Sequence, residues 1–389
     1  METGNKFKQS ILSIKNYISK RNTVSKRAAI QIRILMVLLS LVISILISAV
    51  IIKDSPIKVI VYLFDGAFSR PNKFLFDAAI LLGFGIAIIP CFKMKYWNMG
   101  ANGQLVIASA FIIILMKNLG TWASLSGLNN FLLILLMFLV SIIASVIWAV
   151  IPGIFKAYFN TNETLFTLMM NYVAVGILNY VNIVLSNGNS STGQINFITQ
   201  AGWLVGSNTN LGYMITILII IIMSVLVMGY MQLTKHGYEI SVVGDSLKTA
   251  KYVAMDTKRI IIRTTALSGL VTGVMAFLLV TAINHSANNV YAQTSFNGIL
   301  VSWLANFNPV YMGGISLLFS FLNNGMSKVT SAGGLGSSDL VYFVFGLIFF
   351  SILIAEFVIR YKIDYRKIEM KWKYRREKVN KKKEGVAKW

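Results

Sequence analysis

The chain has 389 residues, of which 56% are hydrophobic and only 13% charged, with a mean hydropathy of +0.68; a soluble domain carries nearer a quarter charged residues, so a water-soluble globular protein is excluded. The formal net charge of +22 would suit a nucleic-acid partner if it lay on one face. Most Lys and Arg instead flank apolar runs, which is the pattern of membrane orientation and not of nucleic-acid binding.

In chain order, residues 1–33 form a basic tail with eight Lys/Arg from Lys6 to Arg33. Apolar runs follow at 34–52, 74–92, 97–116, 130–151, 163–185, 211–233, 260–282 and 340–359. Each is near the length of about 20 residues needed to cross a hydrocarbon core of about 30 Å. The first has no small-residue cleavage pattern behind it and reads as a retained anchor. Residues 53–73, with four basic and two acidic side chains, are expected to form an interfacial helix on the outer side. The stretch 296–325 is apolar but interrupted by Asn306, Pro309, Gly313 and Gly314, so it is expected as a broken or re-entrant segment or as two short ones. The expected fold is an all-α polytopic transmembrane helical bundle of 8 to 10 spans, with a transmembrane domain over 34–359 and a second basic tail over 360–389.

Even span counts place both termini on one side. With those termini cytoplasmic, 30 of the 36 basic residues fall inside and 6 outside, as the positive-inside rule requires. The uncharged loop 186–210 is then an outer loop, and its Asn189-Ser190-Ser191 fits a glycosylation pattern of a kind common by chance. The basic tail reads as an orientation signal resting on anionic headgroups. The single Cys91 lies in an apolar run and reads as a small buried hydrophobe.

Charge placement also bounds the energetics. Asp77, Glu163, Asp339 and Glu356 are expected within about a turn of a span end, and the other ten acidic residues in tails or loops. His236 and His285 fall in loops, so neither a midplane proton relay nor a metal cluster is expected. No phosphate-cradling G-x-x-x-x-G-K-[ST] sequence occurs, and Leu267-Ser268-Gly269-Leu270, faintly like an ATPase signature, sits in an apolar span. Without paired catalytic carboxylates, a nucleophile elbow or a metalloprotease motif, no enzyme activity and no cofactor are expected.

The longest inner loop, 235–259, contains a short helix candidate capped by Asp245 or Ser246, with Leu247, Ala250, Lys251 and Ala254 at helical spacing. By pattern alone this is either an amphipathic connector on the membrane surface or a protruding helix that docks on another protein.

The segment from His236 to Arg259 resembles the coupling-helix region of ABC permeases of the branched-chain amino acid, ribose and nucleoside superfamily, whose members often read G-x-E-x-R-A-V-G-x-N-P-x-A-A-x-Y-x-G-I. Gly237, Glu239, Val243, Gly244, Ala250 and Tyr252 keep register; Ser241, Asp245-Ser246-Leu247, Thr249 and Ala254 depart from it. Trp97 to Gln104 (WNMGANGQ) is similar to the F-N-I-G-A-E-G-Q motif of the nucleoside and simple-sugar branch, with Asn102 in place of Glu. Pro152-Gly153-Ile154-Phe155-Lys156-Ala157, followed by Asn162-Glu163-Thr164 and Leu168-Met169-Met170-Asn171-Tyr172, resembles its P-G-x-L-K-A and N-E-V-x-x-T-x-M-L-N-Y pattern. Ser295-Phe296-Asn297-Gly298-Ile299 with Val301 looks like its G-F-D-G-I-A-V segment. The matches run in order over about 80–360.

The resemblance implies a permease subunit of an importer for nucleosides or simple sugars. Its implied partners are a second permease subunit, separate ABC ATPase subunits docking on Gly237, Glu239, Gly244, Asp245, Ala250, Tyr252 and Ala254, an extracytoplasmic substrate-binding lipoprotein, and membrane lipids. Asn98, Asn102, Gln104, Asn171, Asn297 and Asn306 are polar residues in apolar surroundings, and each is either a translocation-path residue or interhelical hydrogen-bonding glue. Trp97, Trp303 and Phe307 either stack on a solute ring or pack and anchor. Asn102-Gly103 and Asn297-Gly298 open similar apolar runs, a hint of a pseudo-repeat. The rival readings are an ion-coupled secondary carrier or channel working without an ATPase, and a membrane scaffold with no transport role.

Overall fold

A backbone in hydrocarbon must satisfy its own N–H and C=O groups, so long apolar runs become helices. The computed structural model describes residues 18–21, 25–186, 200–205, 209–287, 292–334 and 339–363. Its helices are α1 (Lys26–Ile52), α2 (Pro56–Phe68), α3 (Pro71–Lys93), α4 (Ala101–Ala123), α5 (Gly127–Phe159), α6 (Glu163–Leu185), α7 (Thr209–Leu233), α8 (Lys235–Asp245), α9 (Leu247–Tyr252), α10 (Thr257–Leu278), α11 (Ala292–Leu304), α12 (Pro309–Ala332) and α13 (Asp339–Arg360). Among the described residues, eight helices are long and apolar enough to cross a membrane: α1, α3 to α7, α10 and α13. They fall on the eight apolar runs read from the sequence. One short pairing departs from the all-α pattern, where strands β1 (Ile18–Lys20) and β2 (Tyr361–Ile363) run antiparallel. The glycosylation pattern at Asn189 and most of both basic tails lie outside the described residues.

Several boundaries move from their expected places. Helix α5 continues through Pro152 to Phe159, well past residue 151, and ends where Asn160 turns left-handed (φ 52°) and donates its N–H to the Lys156 carbonyl at 3.1 Å. Its 33 residues span about 50 Å, more than the hydrocarbon thickness. The interrupted stretch 296–325 breaks at Asn306 and Phe307, both at positive φ (49° and 59°), and Pro309 starts α12. Gly313 and Gly314, expected as breakers, lie inside α12, because an interior glycine costs a helix only about 1 kcal/mol.

Two units are distinguished, and their division passes through α2 and α12. In the unit of Met1–Phe64 and Gly325–Trp389, α1 packs on α13. Arg33 donates from Nε (2.9 Å) and Nη2 (2.6 Å) to Glu356 Oε1. Ser40, Ser44 and Ser48, four residues apart, form the buried stripe of α1.

In the unit Asp65–Asn324, α3 and α10 are the interior helices, and α3 is packed on by α7, α10 and α11. Helices α5, α6 and α7 keep broad apolar faces exposed, among them Leu139, Ile143, Ile183, Leu218 and Val225, as lipid-facing helices do. The most extensive helix contact joins α5 to α10 along a seam of small residues. A Cβ on Gly269 would lie 2.8 Å from Val146 Cα, one on Gly273 2.8 Å from Ile142 Cα, and one on Gly153 2.5 Å from Thr265 Oγ1. Gly269 and Gly273 form a G-x-x-x-G pair, which lets two backbones touch where side chains offer no hydrophobic drive against lipid. At its far end α10 widens into a π-helical turn, Leu279–Asn284, closed by His285 (φ 49°), whose ring stacks on Trp203 at 3.7 Å.

Candidate functional site

Between α7 and α10 the chain folds into a helical hairpin, α8 and α9. Thr234 caps α8, its Oγ1 accepting the Gly237 N–H at 3.1 Å. Of the two expected caps for α9, Ser246 serves, accepting the Thr249 N–H at 3.2 Å, while Asp245 is the last residue of α8. Helix α9 stops in a Schellman arrangement: Met255 N–H bonds the Ala250 carbonyl, Ala254 N–H bonds the Lys251 carbonyl, and Ala254 is left-handed at φ 57°. Glycine is the usual residue there, and the family pattern has glycine where this chain has Ala254.

The seven hairpin residues singled out from sequence separate by burial. Gly237, Gly244 and Ala250 are buried; Glu239 is half-buried; Asp245, Tyr252 and Ala254 are exposed, Tyr252 by 92%. Both glycines permit close backbone approach. A Cβ on Gly237 would strike the Met231 carbonyl, and one on Gly244 would strike the Lys93 carbonyl at the end of α3. Lys95 Nζ reaches the Asp245 carbonyl at 3.5 Å. The hairpin is thereby seated on α3 as well as continuous with α7 and α10. Of the residues at helical spacing, Ala250 is buried, whereas Leu247 is 52% exposed and Ala254 lies beyond the helix end.

His236, which sequence reasoning left in a loop, ties the hairpin to two spans. Its Nδ1 is 2.8 Å from Tyr230 Oη on α7, and its Nε2 is 3.4 Å from Thr264 Oγ1 on α10. Thr264 already donates to the Ile260 carbonyl, so an imidazole donating from Nε2 and accepting at Nδ1 fits both neighbours. Burial lowers the pKa of this histidine, opposed by the Ile260 carbonyl and Glu239, and keeps it neutral near pH 7.

The motif between α3 and α4 is held by hydrogen bonds to distant helices. Asn98 Nδ2 donates to Ser268 Oγ at 2.9 Å, while its Oδ1 accepts from Gly100 N at 2.9 Å and from Gln104 Nε2 at 3.4 Å. Thr272 Oγ1 donates to Gln104 Oε1 at 2.7 Å. On the other side, Asn171 Oδ1 accepts the Gly103 N–H at 2.8 Å and its Nδ2 donates to the Met99 carbonyl at 2.9 Å; Met99 N–H in turn reaches Thr167 Oγ1 at 3.1 Å. Gly103 is needed for this, because a Cβ would stand 2.7 Å from Asn171 Oδ1. Asn98, Gln104 and Asn171 therefore bind helices together with both ends of each amide. Asn102 is buried beside them.

The α5–α6 connection closes on itself through its motif residues: Lys156 Nζ pairs with Glu163 Oε2 at 2.9 Å, and Asn162 caps α6 by accepting the Leu165 N–H at 3.2 Å. Asn297 is buried on α11, where Gln293 Nε2 approaches its Oδ1 at 3.5 Å. Trp303 is 41% exposed, and Asn306 makes the break before α12. Phe307 stacks on Phe92 at 5.7 Å, and Trp97 meets Phe92 edge-on at 5.0 Å, so these aromatics pack against each other.

Ser268, Thr272, Thr167 and His236 were missed as partners. The available signal was Thr264, Ser268 and Thr272 recurring every four residues in an apolar span that also holds a G-x-x-x-G pair.

Comparison with known proteins agrees with this architecture. The family described as "Branched-chain amino acid transport system / permease component" matches residues 71–353. "Nucleoside ABC transporter permease protein NupB" of Lactococcus lactis is 27% identical over 65% of this chain and 70% of its own length. "Guanosine ABC transporter permease protein NupP" of Bacillus subtilis is 26% identical over 58% and 64%. "Uncharacterized protein MG120" of Mycoplasma genitalium is 22% identical over 66% of this chain, which spans about half (52%) of that protein's length. No solved structure matches the chain significantly. With the match covering well over half of a chain whose interior helices, hairpin and motif contacts have now been described, the chain belongs to the family of branched-chain amino acid transport system permease components.

Proposed function

We propose that the chain is the membrane-spanning permease subunit of an ATP-driven importer of nucleosides or simple sugars, nucleosides being favoured by the motifs between α3 and α4 and by the names of two relatives. The observation that carries this reading is the hairpin. It joins two spans, rests its Gly244 backbone on the end of the interior helix α3, and leaves the Tyr252 and Asp245 side chains exposed. A partner bound there would push on α3, α7 and α10 together. In this reading an ATPase subunit docks on Asp245, Tyr252 and Ala254 with Glu239 at the margin, whereas Gly237, Gly244 and Ala250 shape the hairpin from within. Both termini and the hairpin are cytoplasmic, a second permease subunit and an extracytoplasmic binding lipoprotein complete the complex, and lipid covers the apolar faces of α5 to α7. Closure of the ATPases would then alternate access to the path.

The test is uptake into vesicles. The permease with its ATPase and binding protein accumulates guanosine or ribose only when ATP is supplied, and Tyr252→Ala lowers that uptake about tenfold while the purified protein keeps its unfolding temperature. Concentration of either solute by the purified chain alone, under a proton or sodium gradient, would overturn the reading in favour of a secondary carrier.

A further inference from the structure

Asp77 is the one acidic side chain beyond the first turn of a membrane-spanning helix in the Asp65–Asn324 unit. Helix α3 begins at Pro71, so Asp77 stands in its second turn, about 9 Å along the axis. It lies on the interior helix, at the end away from the hairpin. Its Oδ2 accepts a hydrogen bond from Asn324 Nδ2 on α12 at 2.9 Å. Asn324 Nδ2 also approaches Ser320 Oγ at 3.4 Å, and Ser320 donates to the Phe74 carbonyl at 2.7 Å. Phe76, the preceding residue, packs its ring tilted against Tyr213 of α7 with centroids 4.6 Å apart, and Asn72 Nδ2 meets Asn210 Oδ1 at 3.4 Å one turn outward.

Two features are unusual for a carboxylate on a membrane-spanning helix. It forms no ion pair among the described residues; Lys73, one turn nearer the helix start, is the basic group that acts on it without reaching pairing distance. Its Oδ1 takes no hydrogen bond among the described residues. A charge placed this way costs stability, and intramembrane carboxylates that persist do so on solute or ion pathways. Among the described residues no group of three His, Cys, Asp or Glu could hold a metal ion. Apart from Lys73, the polar groups around Asp77 are amides, a serine and a tyrosine, which match a neutral ligand rich in hydroxyls; a carboxylate accepts two O–H donors well.

We propose that Asp77 and Asn324 form a solute-contacting pair that takes the vicinal hydroxyls of a neutral polyhydroxylated solute, Asp77 accepting from them and Asn324 orienting the carboxylate. The pair sits where a solute delivered to the end away from the hairpin first meets the interior helix. The proposal rests on the importer reading above.

The test uses the full complex in vesicles and compares guanosine with 2′,3′-dideoxyguanosine or, if the unsubstituted complex accumulates ribose instead, ribose with 2-deoxyribose. Binding protein and ATPase are the same throughout, so a change in discrimination belongs to the permease. Loss of a charged acceptor for hydroxyls predicts that Asp77→Asn raises KM for the hydroxylated solute about ten- to a hundredfold and leaves the deoxy analogue within about twofold, erasing the preference. Asn324→Ser, which keeps the carboxylate but frees its orientation, shifts the same ratio in the same direction by less and carries the test if Asp77→Asn fails to assemble. An unchanged ratio in assembled variants would overturn the proposal and leave the importer reading standing. Absence of any ATP-dependent uptake by the unsubstituted complex would remove the importer reading and the proposal with it.

Discussion

The two ends of α3 solve the same problem in opposite ways. At the hairpin end, the amides of Asn98, Gln104 and Asn171 have their donors and acceptors taken up by Ser268, Thr272, Gly100, Gly103 and Met99, and Gly244 brings two backbones together. At the other end, Asp77 has one amide partner and an oxygen to spare. A closed set of hydrogen bonds offers a solute nothing without first being broken; an open one does. Polar residues in a span therefore divide by whether their bonding is complete, which residue type alone does not reveal.

Substitution at the two ends should separate these roles. Asn98→Leu leaves the Ser268 hydroxyl, the Gly100 N–H and the Gln104 amide unmatched in the interior and lowers stability by about 2–4 kcal/mol, whereas Asp77→Asn stays within about 1 kcal/mol; unfolding of both purified variants in detergent measures the contrast, and equal losses would break it. Gly244→Ala forces a methyl group onto the Lys93 carbonyl and costs about 1–3 kcal/mol. Bulk at Gly244 is thus a packing lesion, and a clean uncoupling variant has to be sought at Tyr252.

A weaker lever is pH. Because burial lowers the His236 pKa below its value in the unfolded chain, ordinarily about 6.5, the unfolded state takes up the proton first as pH falls. The histidine's contribution is intact above that value and is lost as pH drops below it toward the folded-state pKa. Unfolding temperature measured from pH 7.5 to 5.5 should fall, and His236→Gln should flatten the fall. The smallest effect is a gain: Ala254→Gly relieves a left-handed alanine at the C-cap and raises stability by up to about 1 kcal/mol.

Much of this fold was legible because long apolar runs have one outcome in lipid. The eight spans could be read from 34–52 to 340–359, and the break at Asn306 before Pro309 was foreseeable from residue types. What sequence could not supply was pairing across distance. Asn98 and Ser268 are 170 positions apart, Gly103 and Asn171 68 apart, and no local pattern says which amide meets which hydroxyl. Asp77, placed from sequence within about a turn of the end of a span starting at 74, stands in the second turn of a helix that Pro71 opens three residues earlier. For the hairpin, the motif located the segment, but helical spacing did not tell which residues face inward, because α9 is only six residues long and its register is set by Ser246 and by the turn at Ala254.

The seam between α5 and α10 has a mechanical consequence. Where Gly269 and Gly273 bring main chain against main chain and Gly153 seats the Thr265 side chain, few interleaved side chains remain to shift past one another, so the pair behaves as a single stiff beam. Four residues separate the end of α9 from the start of α10, and the α5 overhang lies beside the first turn of α10, with Lys258 Nζ held 4.4 Å from the centre of the Tyr158 ring. A torque applied at the hairpin would swing both helices as one lever instead of bending either.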